Sequence, residues 1–225
     1  MKPSELGVIF DCDGTLLDSM EHWHDVDYRL AQRGGVEVTE ADRDFMTQGT
    51  LDESANYIHE HFGIGKDGED VRQIILDDML AYYESESVPK PGVMELVEGL
   101  YELGVPMGVA SSTPSKLLKA GLSHTGLDKY MKIVLSVDDI NSSKREPLVF
   151  DTVRETLGTR KESTWGVDDA LYAINTLRNA GYRSLAVFDS DIAGTPEKLE
   201  KAATVFIPSF VGFTAQKFLE IAETL

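Results

Sequence analysis

Cysteine is almost absent: Cys12 is the single one in 225 residues, so no disulfide can close within the chain. No apolar run approaches the roughly 18 residues of a membrane-spanning helix. The opening stretch Met1-Lys2-Pro3-Ser4-Glu5 lacks the long apolar segment of a signal peptide. Positive charge is scarce as well, with 21 Lys and Arg against 39 Asp and Glu for a net charge of −18. So acidic a surface repels nucleic acid and anionic membrane, and no local basic patch offsets it. Internal repeats and low-complexity segments are missing too. The expectation is a cytoplasmic globular protein with no nucleic-acid partner and no membrane partner. The sequence specifies no oligomeric state.

Hydrophobic residues make up 42% of the chain and charged ones 27%, ordinary values for a chain that buries a sizeable core. Leu6 to Phe10 is a short apolar run that reads as a buried strand, and burial on two sides favours a parallel sheet. Residues 19–34, 40–46, 51–62 and 68–86 read as helices, with no convincing strand before about residue 90. Pro89 and Pro91-Gly92 then break the pattern. Strands alternate with helices from there on. Strands are expected at Pro106–Ala110, Lys132–Leu135, Ser163–Val167, Arg183–Phe188 and Thr204–Ile207. Helices are expected at Val93–Leu103, Pro114–Ser123, Pro147–Leu157, Leu171–Asn179, Pro196–Ala202 and Gly212–Thr224. This alternation predicts an α/β fold, a Rossmann-like parallel sheet with helices on both faces. The first strand joins that core, so residues 1–17 and 88–225 form one domain and residues 18–87 an inserted all-helical one.

Ligands of open α/β sheets bind beyond the carboxyl ends of the strands. The first strand ends in Asp11-Cys12-Asp13-Gly14-Thr15. Residues two apart in an extended chain point the same way, so Asp11 and Asp13 can face one site while Cys12 faces away. Two carboxylates that close repel unless a cation or proton sits between them. The competing reading is an Asp-Gly turn with Thr15 as a helix cap. The second core strand ends in Ser111-Ser112-Thr113-Pro114, whose hydroxyls can bind phosphate oxygens or simply cap the next helix. Lys144 follows the third core strand, where a lone lysine is more often a solvated charge. Asp168-Asp169 ends the fourth, as a site for a hard cation or as acidic capping of the following helix. Acids, hydroxyls, a lysine and acids at four successive strand ends supply a nucleophile, a cation site and a phosphate cradle.

In that order the residues resemble the haloacid dehalogenase superfamily: Asp11-x-Asp13-Gly14-Thr15, then Ser111, Lys144 and Asp168-Asp169. The insertion after the first motif resembles the helical cap of the β-phosphoglucomutase-like branch, and Asp18-Ser19-Met20 resembles its phosphatases. The resemblance implies a Mg²⁺-dependent phosphoric monoester hydrolase acting on a small phosphorylated metabolite. Asp11 would be the nucleophile and Asp13 the general acid and base. Asp11, Asp13 through its backbone carbonyl, Asp168 and Asp169 would hold the metal. Ser111, Ser112 and Lys144 would bind the phosphoryl group. Arg145 departs from the pattern, standing where many relatives have proline.

Three other functions compete. A sugar-phosphate mutase needs basic residues for a second phosphate, yet residues 18–90 hold 18 acids and six Lys or Arg. The stretch Thr47-Gln48-Gly49-Thr50 has no arginine where mutases carry one, and Trp23 takes the place of a mutase histidine. A receiver-type phospho-acceptor would order its acids differently and would be about half this size. A catalytically silent phosphate-binding or regulatory member is opposed by the filled motif positions. His22 and His24 are left without a role.

Overall fold

Short runs rich in β-branched residues become strands where both their faces can be covered. In the computed structural model, which describes residues 2–48 and 50–225, the first such run is β1 (Gly7–Phe10), buried throughout. It is followed by β2 (Met107–Ser111), β3 (Val134–Ser136), β4 (Thr164–Asp168), β5 (Arg183–Val187) and β6 (Val205–Ile207). They form one parallel sheet in the order β3-β2-β1-β4-β5-β6. Val8 of β1 pairs with Met107 on one side and with Trp165 on the other. The strand order reverses beside β1, which puts the ligand-binding crevice of such sheets at the carboxyl ends of β1 and β4.

The chain splits into two compact units, one of Met1–Asp18 with Ser87–Leu225 and the other of Ser19–Glu86. The first unit holds the sheet with α5 (Val93–Glu102), α6 (Ser115–Thr125), α7 (Leu148–Leu157), α8 (Leu171–Asn179), α9 (Pro196–Ala202) and α10 (Ala215–Thr224). On one face, Ile9, Ala110 and Ala186 pack with Val153 of α7, Leu177 of α8 and Leu199 of α9. On the other, Trp165 meets Phe218 of α10 edge to face at 5.3 Å. The glycine at 166 permits the close approach of α8: a Cβ there would lie 2.3 Å from Leu177. Where the chain leaves and re-enters this unit, the two segments pair. Asp18 N–H donates to the Val88 carbonyl at 3.0 Å, and Lys90 N–H to the Leu16 carbonyl at 2.9 Å.

The second unit contains α1 (Met20–Arg33), α2 (Glu40–Gln48), α3 (Leu51–Phe62) and α4 (Gly68–Ser85). Val71, Ile75, Met79 and Tyr83 recur every four residues and are buried, as are Ala55, Ile58 and Phe62 of α3. Thr50 and Glu53 close a capping box at the start of α3. Trp23 is part of this packing, its indole N–H donating to the Tyr83 hydroxyl at 3.0 Å. His22 stacks on Tyr82 and bonds Asp78 at 3.0 Å. Gly49 lies outside the described residues, and so do the side chains of Thr47 and Gln48, which bear on the comparison with mutases.

Element types agree with the sequence reading, with boundaries shifted by a few residues. Proline at 106 has no N–H for the ladder, so β2 starts at Met107, while Pro106 gives its carbonyl to Val8 N–H at 3.0 Å. The last helix begins at Ala215, three residues later than expected, because the Thr214 hydroxyl accepts Lys217 N–H and caps it there. Among the described residues no helix is long and apolar enough to cross a membrane.

Candidate active site

The ladder carries Asp11 to the end of β1, where its N–H donates to the Val167 carbonyl at 2.8 Å. Asp11 and Asp13 are both buried, and between them Cys12 is fully enclosed. Burial pushes the Cys12 thiol up, with the Asp13 and Asp11 charges adding to the effect. That environment makes it a packing residue, not a nucleophile. Gly14 turns the chain with φ +77°, and a Cβ there would sit 2.6 Å from Asp169 Oδ2. Thr15 caps no helix: its hydroxyl points to Asp169 Oδ1 at 3.3 Å.

Lys144 is 2% exposed, so it is no solvated surface charge. Its ammonium pairs with Asp11 Oδ1 and, at 2.8 Å, with Asp168 Oδ2. Burial opposes this charge, yet Asp11 and Asp168 more than offset it and hold the ammonium above its usual range. For Asp11 the balance runs the other way. Burial pushes its carboxyl up to about 7, with Lys144 pulling it back and Asp168 and Asp13 adding repulsion. Asp168 has both oxygens engaged, the second accepting Ala170 N–H at 2.9 Å. Asp169 is raised well above the ordinary carboxyl range by burial, then by Asp11, Asp168 and Asp189.

Beyond β2, the hydroxyl of buried Ser111 accepts Thr113 N–H at 3.1 Å, which leaves its own proton to donate. The Thr113 hydroxyl donates to Asp13 Oδ2 at 2.6 Å. The hydroxyls here do not cap α6, whose N-cap residue is Pro114 and which has no side-chain cap bond. Ser112 is exposed.

The structure thus brings together Asp11, Lys144, Asp168 and Asp169, with Asp13 and Ser111 beside them. Sequence reading gave Thr113 no part in holding Asp13 and overlooked Asp189 and Tyr172 near the cluster. Thr113 was hidden because a hydroxyl before proline looks like a helix cap. Asp189, 9% exposed and paired with Lys90, follows β5, where the rule of strand ends would have found it. Tyr172 carried no signal, being one apolar ring on a helix.

A hard cation fits this donor set. Carboxylate oxygens of Asp11, Asp168 and Asp169 all lie within 4.8 Å of one another. Among the described residues Asp169 has no cationic side chain within ion-pair distance, and Lys144 alone cannot balance three buried carboxylates. The absent Cβ at Gly14 keeps the space beside Asp169 open. Asp13 is not part of this carboxylate group, its Oδ2 being taken by Thr113.

Residues 8–187 match the profile of a family described as haloacid dehalogenase-like hydrolase. A phosphoglycolate phosphatase of Rhodobacter capsulatus is 28% identical over 183 residues, 77% of this chain and 80% of that protein. A validoxylamine A 7'-phosphate phosphatase of Streptomyces hygroscopicus subsp. limoneus is 27% identical, over 77% and 81% of the two chains. Among solved structures, a HAD hydrolase (family IA, variant 3) of Entamoeba histolytica superposes with a TM-score of 0.81 at 17% identity, covering 97% of this chain and 99% of that one.

Proposed function

Because the chain belongs to the haloacid dehalogenase-like hydrolases, we propose that it is a Mg²⁺-dependent phosphatase that hydrolyses a small phosphate monoester through an aspartyl-phosphate on Asp11. The observation that carries this reading is the buried Asp11 carboxylate paired with Lys144 and flanked by Asp168 and Asp169. Two relatives that align over most of the chain are named as phosphatases of small phosphate esters.

In the first step an Asp11 oxygen attacks phosphorus and the bond to the leaving oxygen breaks, while Asp13 delivers its proton to that oxygen. In the second, water attacks the same phosphorus and gives a proton to Asp13. The phosphorus–Asp11 bond breaks and the carboxylate is restored. The Thr113 hydroxyl, which donates to Asp13 Oδ2, would hold that carboxyl in place for both transfers. Lys144 and the Ser111 hydroxyl offset charge on the phosphoryl oxygens. Asp11, Asp169 and the Asp13 carbonyl would hold Mg²⁺, with Asp168 acting through Lys144 and through water. The ion would supply further charge stabilisation at the phosphoryl group.

The helical segment 18–87 is assigned the role of a substrate-selecting cap on a core of residues 1–17 and 88–225. Its acidity, 18 acids against six Lys or Arg over residues 18–90, disfavours large polyanions and the second phosphate of a mutase substrate. A cytoplasmic setting belongs to the proposal, since one buried cysteine needs no oxidising compartment. The test is phosphate release from a panel of phosphorylated metabolites with Mg²⁺, run beside Asp11→Asn. The variant is expected to lose at least ~1,000-fold in kcat. Equal release by both proteins sinks the proposal.

A further inference from the structure

Lys90 and Asp189 form an ion pair that solvent barely reaches, the two side chains being 13% and 9% exposed. Desolvation makes such a pair a poor source of stability, so its presence calls for another role. Both residues belong to the unit that carries the sheet, and each is tied to the cation site by its own route. Lys90 N–H donates to the Leu16 carbonyl at 2.9 Å. Leu16 is next to Thr15, whose hydroxyl donates to Asp169 Oδ1 at 3.3 Å. Asp189 follows β5, whose Ala186 is paired with Asp168 of β4. The loop that carries Asp189 then returns to the same place. Leu171, two residues past Asp169, donates its N–H to the Ala193 carbonyl at 2.9 Å. A Cβ on Gly194 would lie 3.1 Å from the Leu171 Cβ. Among the described residues Lys90 is the only cation within ion-pair distance of Asp189. Asp18, the other acid near Lys90 at 3.9 Å, is 55% exposed and screened by water.

We propose that Lys90 is the charge-balancing residue of the cation site: it cancels Asp189 beside Asp169 and so sets how tightly Mg²⁺ and the phosphoryl group are held. This rests on the cation site of the phosphatase reading above. With a cation bound, Asp11, Asp168 and Asp169 carry three negative charges and Lys144 one positive. The two left over match a divalent ion. An Asp189 without Lys90 would leave three. Such a site binds the cation harder and repels an incoming phosphate dianion. Lys90 acts through Asp189, so it is a positioning residue and not a catalytic one. The Asp189 charge also reaches Asp169, adding to the burial and the Asp11 and Asp168 charges that push its carboxyl up.

The test is calorimetric titration of EDTA-stripped protein with MgCl₂, and of Mg²⁺-saturated protein with inorganic phosphate. Asp189→Asn leaves the Lys90 charge unopposed. Its Kd for Mg²⁺ should rise about tenfold, while phosphate should bind several-fold tighter. Lys90→Met/Asp189→Asn removes both charges and should return both affinities to within about threefold of wild type. Shifts of opposite sign separate a charge effect from damaged packing, which would weaken both ligands and leave the double variant worst. An unchanged Mg²⁺ Kd in Asp189→Asn overturns the inference. So do affinities that fall together, or a double variant no nearer wild type than the single one. In each of those cases Mg²⁺ binding and ester hydrolysis by wild type still uphold the phosphatase. A wild type that binds no Mg²⁺ would end the cation site and the inference together.

Discussion

Asp27 lies in α1 of the helical unit, and its Oδ1 is enclosed with no hydrogen-bond partner among the described residues. Burial pushes the carboxyl up from 3.8 to about 7, against a smaller pull from a hydrogen bond with Ser54. That pull would require Ser54 to donate. Its one proton goes to the Met46 carbonyl at 2.7 Å, so Ser54 is left to accept, which favours the protonated acid further. The folded state therefore holds a proton that the unfolded chain gives up near 3.8. Stability from this proton is complete below that value and is lost as pH rises to about 7, then levels off. The two values differ by about 3 pH units, equivalent to roughly 4 kcal/mol, of which about 3 falls between pH 5 and pH 9. Asp27→Asn removes the ionisation and keeps a donor for Ser54. Its stability relative to wild type should rise by roughly 3 kcal/mol between pH 5 and pH 9. Urea unfolding can be read on the helical unit alone, because the two tryptophans, Trp23 and Trp165, lie in different units. In a Trp165→Phe background, Trp23 fluorescence supplies the signal. A difference between Asp27→Asn and its parent that stays constant from pH 5 to pH 9 would refute the reasoning.

Gly14→Ala should abolish phosphate release, since it forces an alanine to φ +77° and drives a methyl to within 2.6 Å of Asp169 Oδ2; activity beyond about a tenth of wild type would contradict the close packing of Gly14 on Asp169. Thr113→Val keeps the shape but removes the hydroxyl on Asp13, so kcat should fall roughly 10- to 100-fold, with Thr113→Ser recovering most of it. Replacing Mg²⁺ with EDTA should lower the melting temperature as well as stop turnover. A site held at 100 times its Kd gains about 2.7 kcal/mol from the ion, so equal melting curves in 10 mM MgCl₂ and in EDTA would show that no cation binds the folded protein.

The fold was legible because each strand is a short apolar run and each break carries glycine or proline. α8 and α9 were read to the residue. At the site, period-two alternation separates Asp11 and Asp13 from Cys12 without any structure. Lys144 was different: its sequence neighbourhood looks solvated, and only the three-dimensional return of its loop buries it on Asp11. Thr113 and Thr15 were misleading for one reason. A threonine hydroxyl has the same local signature whether it caps a helix or reaches a carboxylate 100 or 154 positions away. The Lys90–Asp189 pair joins residues 99 apart, and no local pattern links them. Trp23 could be placed on a helix by periodicity, but its bond to Tyr83 depends on how α1 and α4 pack.

The strand order has a consequence for how the molecule is made. β1 leaves the ribosome first, yet its two partners are residues 107–111 and 164–168. At roughly 5–20 residues per second, the strand that ends in Asp11 waits about 8–30 s before both neighbours exist. The helical unit is contiguous and its chain is complete by Glu86, so it can fold while the sheet is still being synthesised. Until residues 107–111 are made Val8, Ile9 and Phe10 have neither strand partner, and until residues 164–168 are made they have one at most. A segment that ends up fully buried is, at birth, an exposed apolar run of the kind chaperones cover.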